Sequence, residues 1–106
     1  MFDIGVHKMI GVLTHHWSKE NLFDQAKILL SGNGQAQSHA LGFVSRTTLH
    51  SRSHPRQITS LVLWESDDVY NQWKSSIARS EAMEGSDRLW ESPPVSERFD
   101  IPKTAS

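Results

Sequence analysis

The chain has 106 residues, 37% of them hydrophobic, a net charge of −1 and no cysteine. This is the size of one domain with a modest core, and the near-neutral charge without a basic run excludes bulk attraction to nucleic acid or to an anionic membrane. Without cysteine there is no disulfide, thiolate nucleophile or zinc–thiolate centre. Met1 to Gly5 carries no secretory signal and no apolar run reaches the length of a membrane span, so the expected compartment is the cytoplasm.

The first strand is predicted over His7 to His16, with Ile10 and Val12 facing one way and Met9, Gly11 and Leu13 the other. Ser18 is the expected N-cap of a helix whose apolar stripe is Leu22, Phe23, Ala26, Leu29 and Leu30. Ser31-Gly32-Asn33-Gly34 is expected to stop that helix, since glycine favours helix ends. The glycine pair follows a helix and is not succeeded by Gly-Lys-Ser/Thr, so it is no phosphate cradle. Gly42 to His50 predicts a second strand, and Ser51 to Arg56 a polar loop turning into a third over Ile58 to Trp64, apolar on both faces. Glu65, Ser66, Asp67 and Asp68 supply capping oxygens and negative charge for a second helix running to Ala78. It places Val69, Trp73 and Ile77 at steps of four, with Tyr70 beside them and Asn71, Gln72, Lys74 and Ser75 on the wet side. Met83 to Pro94 reads as irregular or as a short helical turn. Val95 to Ile101 alternates as a last strand, ended by Pro102 and a loose tail over 102–106.

Strand, helix, strand, strand, helix, strand is the βαββαβ order of a ferredoxin-like α+β domain with an antiparallel sheet. One domain over 1–106 is expected, with its core at about 7–101. Both helices would cover one face of the sheet. The other face would be bare and apolar, which predicts an identical subunit packed against it. The RNA-recognition module shares this order, but Gly42-Phe43-Val44 echoes its central motif on the wrong strand and without basic neighbours.

The run Leu63-Trp64-Glu65-Ser66, followed by Val69-Tyr70-Asn71-Gln72-Trp73 and closed by Ser96-Glu97-Arg98-Phe99-Asp100-Ile101, resembles the antibiotic biosynthesis monooxygenase (ABM) domain family, over roughly His7 to Ile101. The resemblance implies a dimeric α/β barrel: a homodimer with one pocket per subunit between helices and sheet. It implies a cofactor-independent monooxygenase acting on a small aromatic molecule, a phenol or quinol whose own carbanion reduces oxygen. The family also holds heme-degrading monooxygenases, which use a strand asparagine, a helix tryptophan and a histidine ten residues beyond it. Trp73 matches the tryptophan, but Met83 stands in the histidine position and Ile10 or Gly11 in that of the asparagine. Heme binding or degradation with altered ligands is therefore the second reading, since methionine can ligate heme iron. A non-catalytic ligand-binding dimer is the third.

Through the resemblance, Trp73 is a candidate to line the pocket, set against ordinary core packing. Trp64 shares a strand face with Val62 and Ser60, where burial in the core competes with a pocket role. Met83, Arg88 and Trp90 precede the last strand. Arg88 beside an aromatic is placed to close over a pocket and hold a phenolate oxygen, unless this is a solvated loop. His15 and His16 point to opposite faces, so they cannot share a metal. Either is a candidate general base, set against an exposed polar strand end. Asp67 and Asp68 read as caps. No His-x-His or His-Glu-x-x-His occurs, so no metal site is expected.

Overall fold

The computed structural model describes residues 8–102. It forms β1 (Ile10–Ser18), α1 (Phe23–Gln37), β2 (Phe43–His50), β3 (Gln57–Trp64), α2 (Asp67–Lys74), α3 (Ile77–Ala82), a 3₁₀ turn (Ser86–Leu89) and β4 (Trp90–Asp100). The four strands make one antiparallel sheet in the order β2-β3-β1-β4, the ferredoxin-like α+β arrangement. His7 and the tail from 103 lie outside the described residues. No helix among the described residues is long and apolar enough to cross a membrane.

Four local expectations are corrected. Ser18 does not cap α1: it is the buried last residue of β1, and Leu22 occupies the cap position. The Gly32-Asn33-Gly34 run does not stop α1, which continues to Gln37. Ala26, Leu30, Asn33 and Gln37 are all buried at helical spacing, and that packing outweighs a glycine penalty of about 1 kcal/mol each. The second helix breaks where one helix was expected to continue. Ser76 ends one segment and starts the next, its hydroxyl donating to the Trp73 carbonyl at 2.7 Å and accepting from the Arg79 N–H at 3.1 Å. The break turns Ile77 outward, 76% exposed, so it does not continue the Val69–Trp73 stripe. Finally, β4 begins at Trp90 and runs through Pro93 and Pro94. It is an edge strand, where a missing N–H is tolerated.

The start of α2 follows the expected chemistry. Ser66 is extended and its hydroxyl accepts from the Val69 N–H at 3.4 Å, with Asp67 and Asp68 in the first turn. Opposite it, Gly42 has φ +81°, and a Cβ there would meet Val69 at 2.3 Å. Only glycine lets the chain enter β2 this close to α2.

The core is split. One cluster holds Ile10, Val12, Val62, Trp64 and Trp73, where β1 and β3 meet α2. The other holds Ala26, Leu30, Ile58, Leu89 and Trp90, where α1 meets the 3₁₀ turn and the start of β4. The opposite face of the sheet carries no helix among the described residues. Leu13 pairs with Leu61 and Gly11 with Leu63 and Phe99 there, and Leu49, Val95 and Phe99 are 46%, 52% and 42% exposed.

Candidate functional site

Between the two core clusters lies a cavity of about 720 Å³, within the range of small-molecule sites. Val12, Val62 and Tyr70 enter it from one cluster, and Leu30, Met83 and Trp90 from the other. The alternation of β1 puts Val12, Thr14 and His16 on this side. Along α1 the buried stripe changes character. It is apolar at Ala26 and Leu30, then polar at Asn33 and Gln37, where the helix passes over the cavity.

His16 sits at a discontinuity. On β4, His15 pairs with Val95 and Trp17 with Ser92, so His16 has no partner and Pro93 and Pro94 bulge opposite it. Such bulges re-aim a side chain. The imidazole is 7% exposed and lies against the Trp90 ring at 4.6 Å between centroids. Its Nδ1 is buried without a hydrogen-bond partner, which leaves Nε2 to meet a ligand. Burial, reinforced by the positive charges of Arg46 and Arg79 and by His15, lowers its pKa to about 4. It is therefore a neutral imidazole at pH 7.

Two guanidiniums face the same space. Arg46 on β2 donates from Nη1 to Gln37 Oε1 at 2.8 Å, and burial lowers its pKa. Arg79 reaches in from α3. Neither has a carboxylate partner among the described residues. The carboxylates that line the cavity, Glu81, Glu84 and Asp87, are exposed and belong to α3 and the turns after it. The Tyr70 phenol stands at another wall. Burial raises its pKa against the opposing pull of Arg98 and Arg79, so it stays protonated at neutral pH. Thr14 and Ser96, hydrogen-bonded at 2.8 Å, and Ser60 add hydroxyls.

Of the residues singled out in the sequence, His16, Met83 and Trp90 line the cavity. His15 does not: its Nδ1 bonds the Thr59 hydroxyl at 2.8 Å on the opposite sheet face. Trp73 is 4% exposed and stacks at 6.4 Å on fully buried Trp64. Both are core residues away from this cavity, although Trp73 borders a smaller groove between α1 and α2. Arg88 points outward to Gln25 Oε1 at 3.1 Å, and so cannot close over the cavity. The expectation of an exposed strand end holds for neither histidine, since His16 is buried and His15 half-buried. Arg46, Arg79, Asn33, Gln37 and Tyr70 were not read from the sequence as site residues. The one available signal was Asn33 and Gln37 continuing the apolar stripe of α1 with polar side chains.

The heme-degrading residue set is not assembled here. Met83 reaches the cavity, but Trp73 is packed against Trp64, Ile10 is in the core and Gly11 faces the bare side of the sheet. The amides at the cavity come from α1, at Asn33 and Gln37.

No family model and no curated protein matches the sequence. The backbone, however, is similar to that of many solved structures. One is a Nitrosomonas europaea protein provisionally named an antibiotic biosynthesis monooxygenase, with TM-score 0.84 and 9% identity over 100% of both chains. A second is SnoaB, a cofactor-independent oxygenase from Streptomyces nogalater solved as a single-residue variant, with TM-score 0.80 and 11% identity over 92% of this chain and 96% of that one. A third is a protein from Shewanella oneidensis, with TM-score 0.80 and 17% identity over 90% and 92%. The chain thus has the fold of the ABM domains.

His16 makes stability depend on pH. Its pKa falls from 6.5 to about 4 on folding, so between those values the unfolded chain binds more protons. The stability linked to a neutral His16 is complete above about pH 6.5 and is lost as pH falls through about 4, a contribution on the order of 3 kcal/mol. Denaturant unfolding between pH 7.5 and 4.5 should show this loss in the parent and a clearly smaller one in His16→Gln. Equal losses in both proteins contradict the assignment.

Proposed function

We propose that the protein is a small cofactor-independent oxygenase of the ABM type whose substrate is an aromatic phenol or quinol held in the cavity. The observation that carries this reading is one partly open cavity with a neutral buried imidazole, two guanidiniums lacking acid partners among the described residues and an indole face. The likeness in fold to SnoaB, a cofactor-independent oxygenase, supports it.

The chemistry asks little of the protein. The substrate ring packs among Trp90, Met83, Leu30 and Val62. Its hydroxyl meets His16 Nε2 and loses a proton there. Buried beside the two arginines the imidazole is a weak base, but the phenolate formed next to it offsets the arginine repulsion and holds the imidazolium. Arg46 and Arg79 stabilise the negative charge. The electron-rich ring carbon then adds to O₂, and His16 returns its proton to the resulting peroxide. Loss of the ring C–H proton and of the outer oxygen as water leaves a quinone. One oxygen atom ends in the product and one in water, and the substrate supplies all the electrons.

Oxygen uptake should follow addition of a polycyclic phenol or quinol, with one atom of ¹⁸O₂ in the product. His16→Gln should lower the rate by roughly 100-fold or more while the fold persists, and hemin with a reductant should keep its Soret band. Parent-like rates in His16→Gln, or tight binding of such phenols without oxygen uptake, would sink this reading.

The bare sheet face carries a second part of the proposal. Leu13, Leu61, Leu63, Phe99 and Ile101 form an apolar stripe that a second copy would cover. We infer a homodimer burying on the order of 2,000 Å². Sedimentation should give twice the chain mass at micromolar concentration. A monomer that persists at that concentration overturns it.

A further inference from the structure

Gly34 and Arg46 occupy each other's space. A Cβ on Gly34 would lie 2.9 Å from Arg46 Nε and 3.0 Å from its Cδ. By contrast, Gly32, two residues earlier on the same helix, has nothing within 4 Å. A mid-helix glycine costs about 1 kcal/mol against alanine, and at position 34 the missing side chain makes room for the arginine stem. One turn further along α1, Gln37 accepts from Arg46 Nη1 at 2.8 Å. Helix α1 therefore provides a fitted seat: a gap under the stem and an amide oxygen for one N–H of the guanidinium.

No carboxylate among the described residues completes the seat. A half-buried guanidinium held only by a neutral amide keeps its charge uncompensated, and Arg79 adds a second charge to the same cavity. The carboxylates on the lining, Glu81, Glu84 and Asp87, are exposed, and none lies within ion-pair distance of either arginine. A guanidinium presents parallel N–H groups that match the two oxygens of a carboxylate. The exposed acids on the same lining disfavour a dianion such as a phosphate monoester. The remaining walls, Trp90, Leu30, Met83, Val12 and Val62, take an aromatic body.

We propose that Arg46, seated by Gly34 and Gln37 and assisted by Arg79, is the carboxylate anchor of this cavity, so that its ligand is a hydroxylated aromatic acid. This rests on the oxygenase reading for the choice of cavity and narrows its substrate class. Gly34 and Gln37 act as positioning residues, since they touch Arg46 and not the ligand.

The test is binding, followed by tryptophan fluorescence or calorimetry, of 1-hydroxy-2-naphthoic acid, its methyl ester and 1-naphthyl phosphate. The acid should bind at least tenfold more tightly than the ester and more tightly than the phosphate. Arg46→Met should weaken binding of the acid at least tenfold more than binding of the ester, and so abolish the preference of acid over ester. Gly34→Ala should fold at least as well as the parent, because alanine favours the helix and the clash falls on a flexible side chain, yet it should lose most of the preference. Equal affinity for acid and ester in the parent, tighter binding of the phosphate, or a preference that survives Arg46→Met overturns the proposal. The two readings fail separately. Acid selectivity without oxygen uptake supports the anchor and rejects the oxygenase, whereas equal turnover and affinity for ester and acid does the reverse.

Discussion

The pairing of β1 with both β3 and β4 is the constraint on which the molecule depends. As a central strand, β1 has both backbone edges committed, so alternation alone assigns its side chains. Ile10, Val12, Thr14 and His16 go under the helices; Gly11, Leu13, His15 and Trp17 go to the bare face. A slip of one residue would exchange His16 with His15 and would empty the cavity of its imidazole. The register is pinned by the Trp64 end of β3, buried against α2, and is relaxed against β4 at the bulge opposite His16 and again between Trp17 and Ser18. The first of the two register shifts between β1 and β4 thus lies beside the residue to which we assign the proton transfer.

The second organising fact is that the core does not close. The tryptophan cluster under α2 and the leucine–tryptophan cluster under α1 are each well packed, and the space between them is walled by groups that keep it from collapsing. Arg46 bonds Gln37, but His16 Nδ1 and Asn33 Oδ1 are buried without a hydrogen-bond partner among the described residues. Closing the cavity on them would bury unpaired polar groups at a cost of about 1–3 kcal/mol each. A cavity with this lining is stable when open to water or filled by a ligand. The same lack of pairing leaves Arg46 and Arg79 able to act on an incoming anion.

The architecture was legible where local chemistry and tertiary packing agree. The apolar β3 run and a helix started by the acidic turn at Glu65, Ser66, Asp67 and Asp68 are as read from residues alone, and the structure picks Ser66 among them as the cap. So is the βαββαβ order. The sequence misled where packing overrides local preference. Gly32-Asn33-Gly34 looks like a helix stop, yet α1 passes through it because Asn33 and Gln37 are buried and Gly34 makes room for Arg46. Pro93 and Pro94 look like a break, yet they lie in an edge strand. The site was less legible still. His16, Met83 and Trp90 were among the candidates, but the large aromatics Trp64 and Trp73 proved to be core, and Arg88 points to solvent. Arg46 and Arg79 carry no local signature. Their importance comes from having no acid partner among the described residues, which only the three-dimensional arrangement shows.

The central claim is that His16 and Arg46 meet a ligand in the space between the two core clusters. Nuclear magnetic resonance of the protein labelled at histidine and arginine side chains tests it directly, by titration with 1-hydroxy-2-naphthoic acid. The account predicts that the His16 ring and Arg46 Nε–H signals shift together, saturating at one equivalent per chain, while His15 on the opposite sheet face and outward-pointing Arg88 stay in place. Saturable binding that moves His15 or Arg88 and leaves His16 and Arg46 unshifted would contradict it.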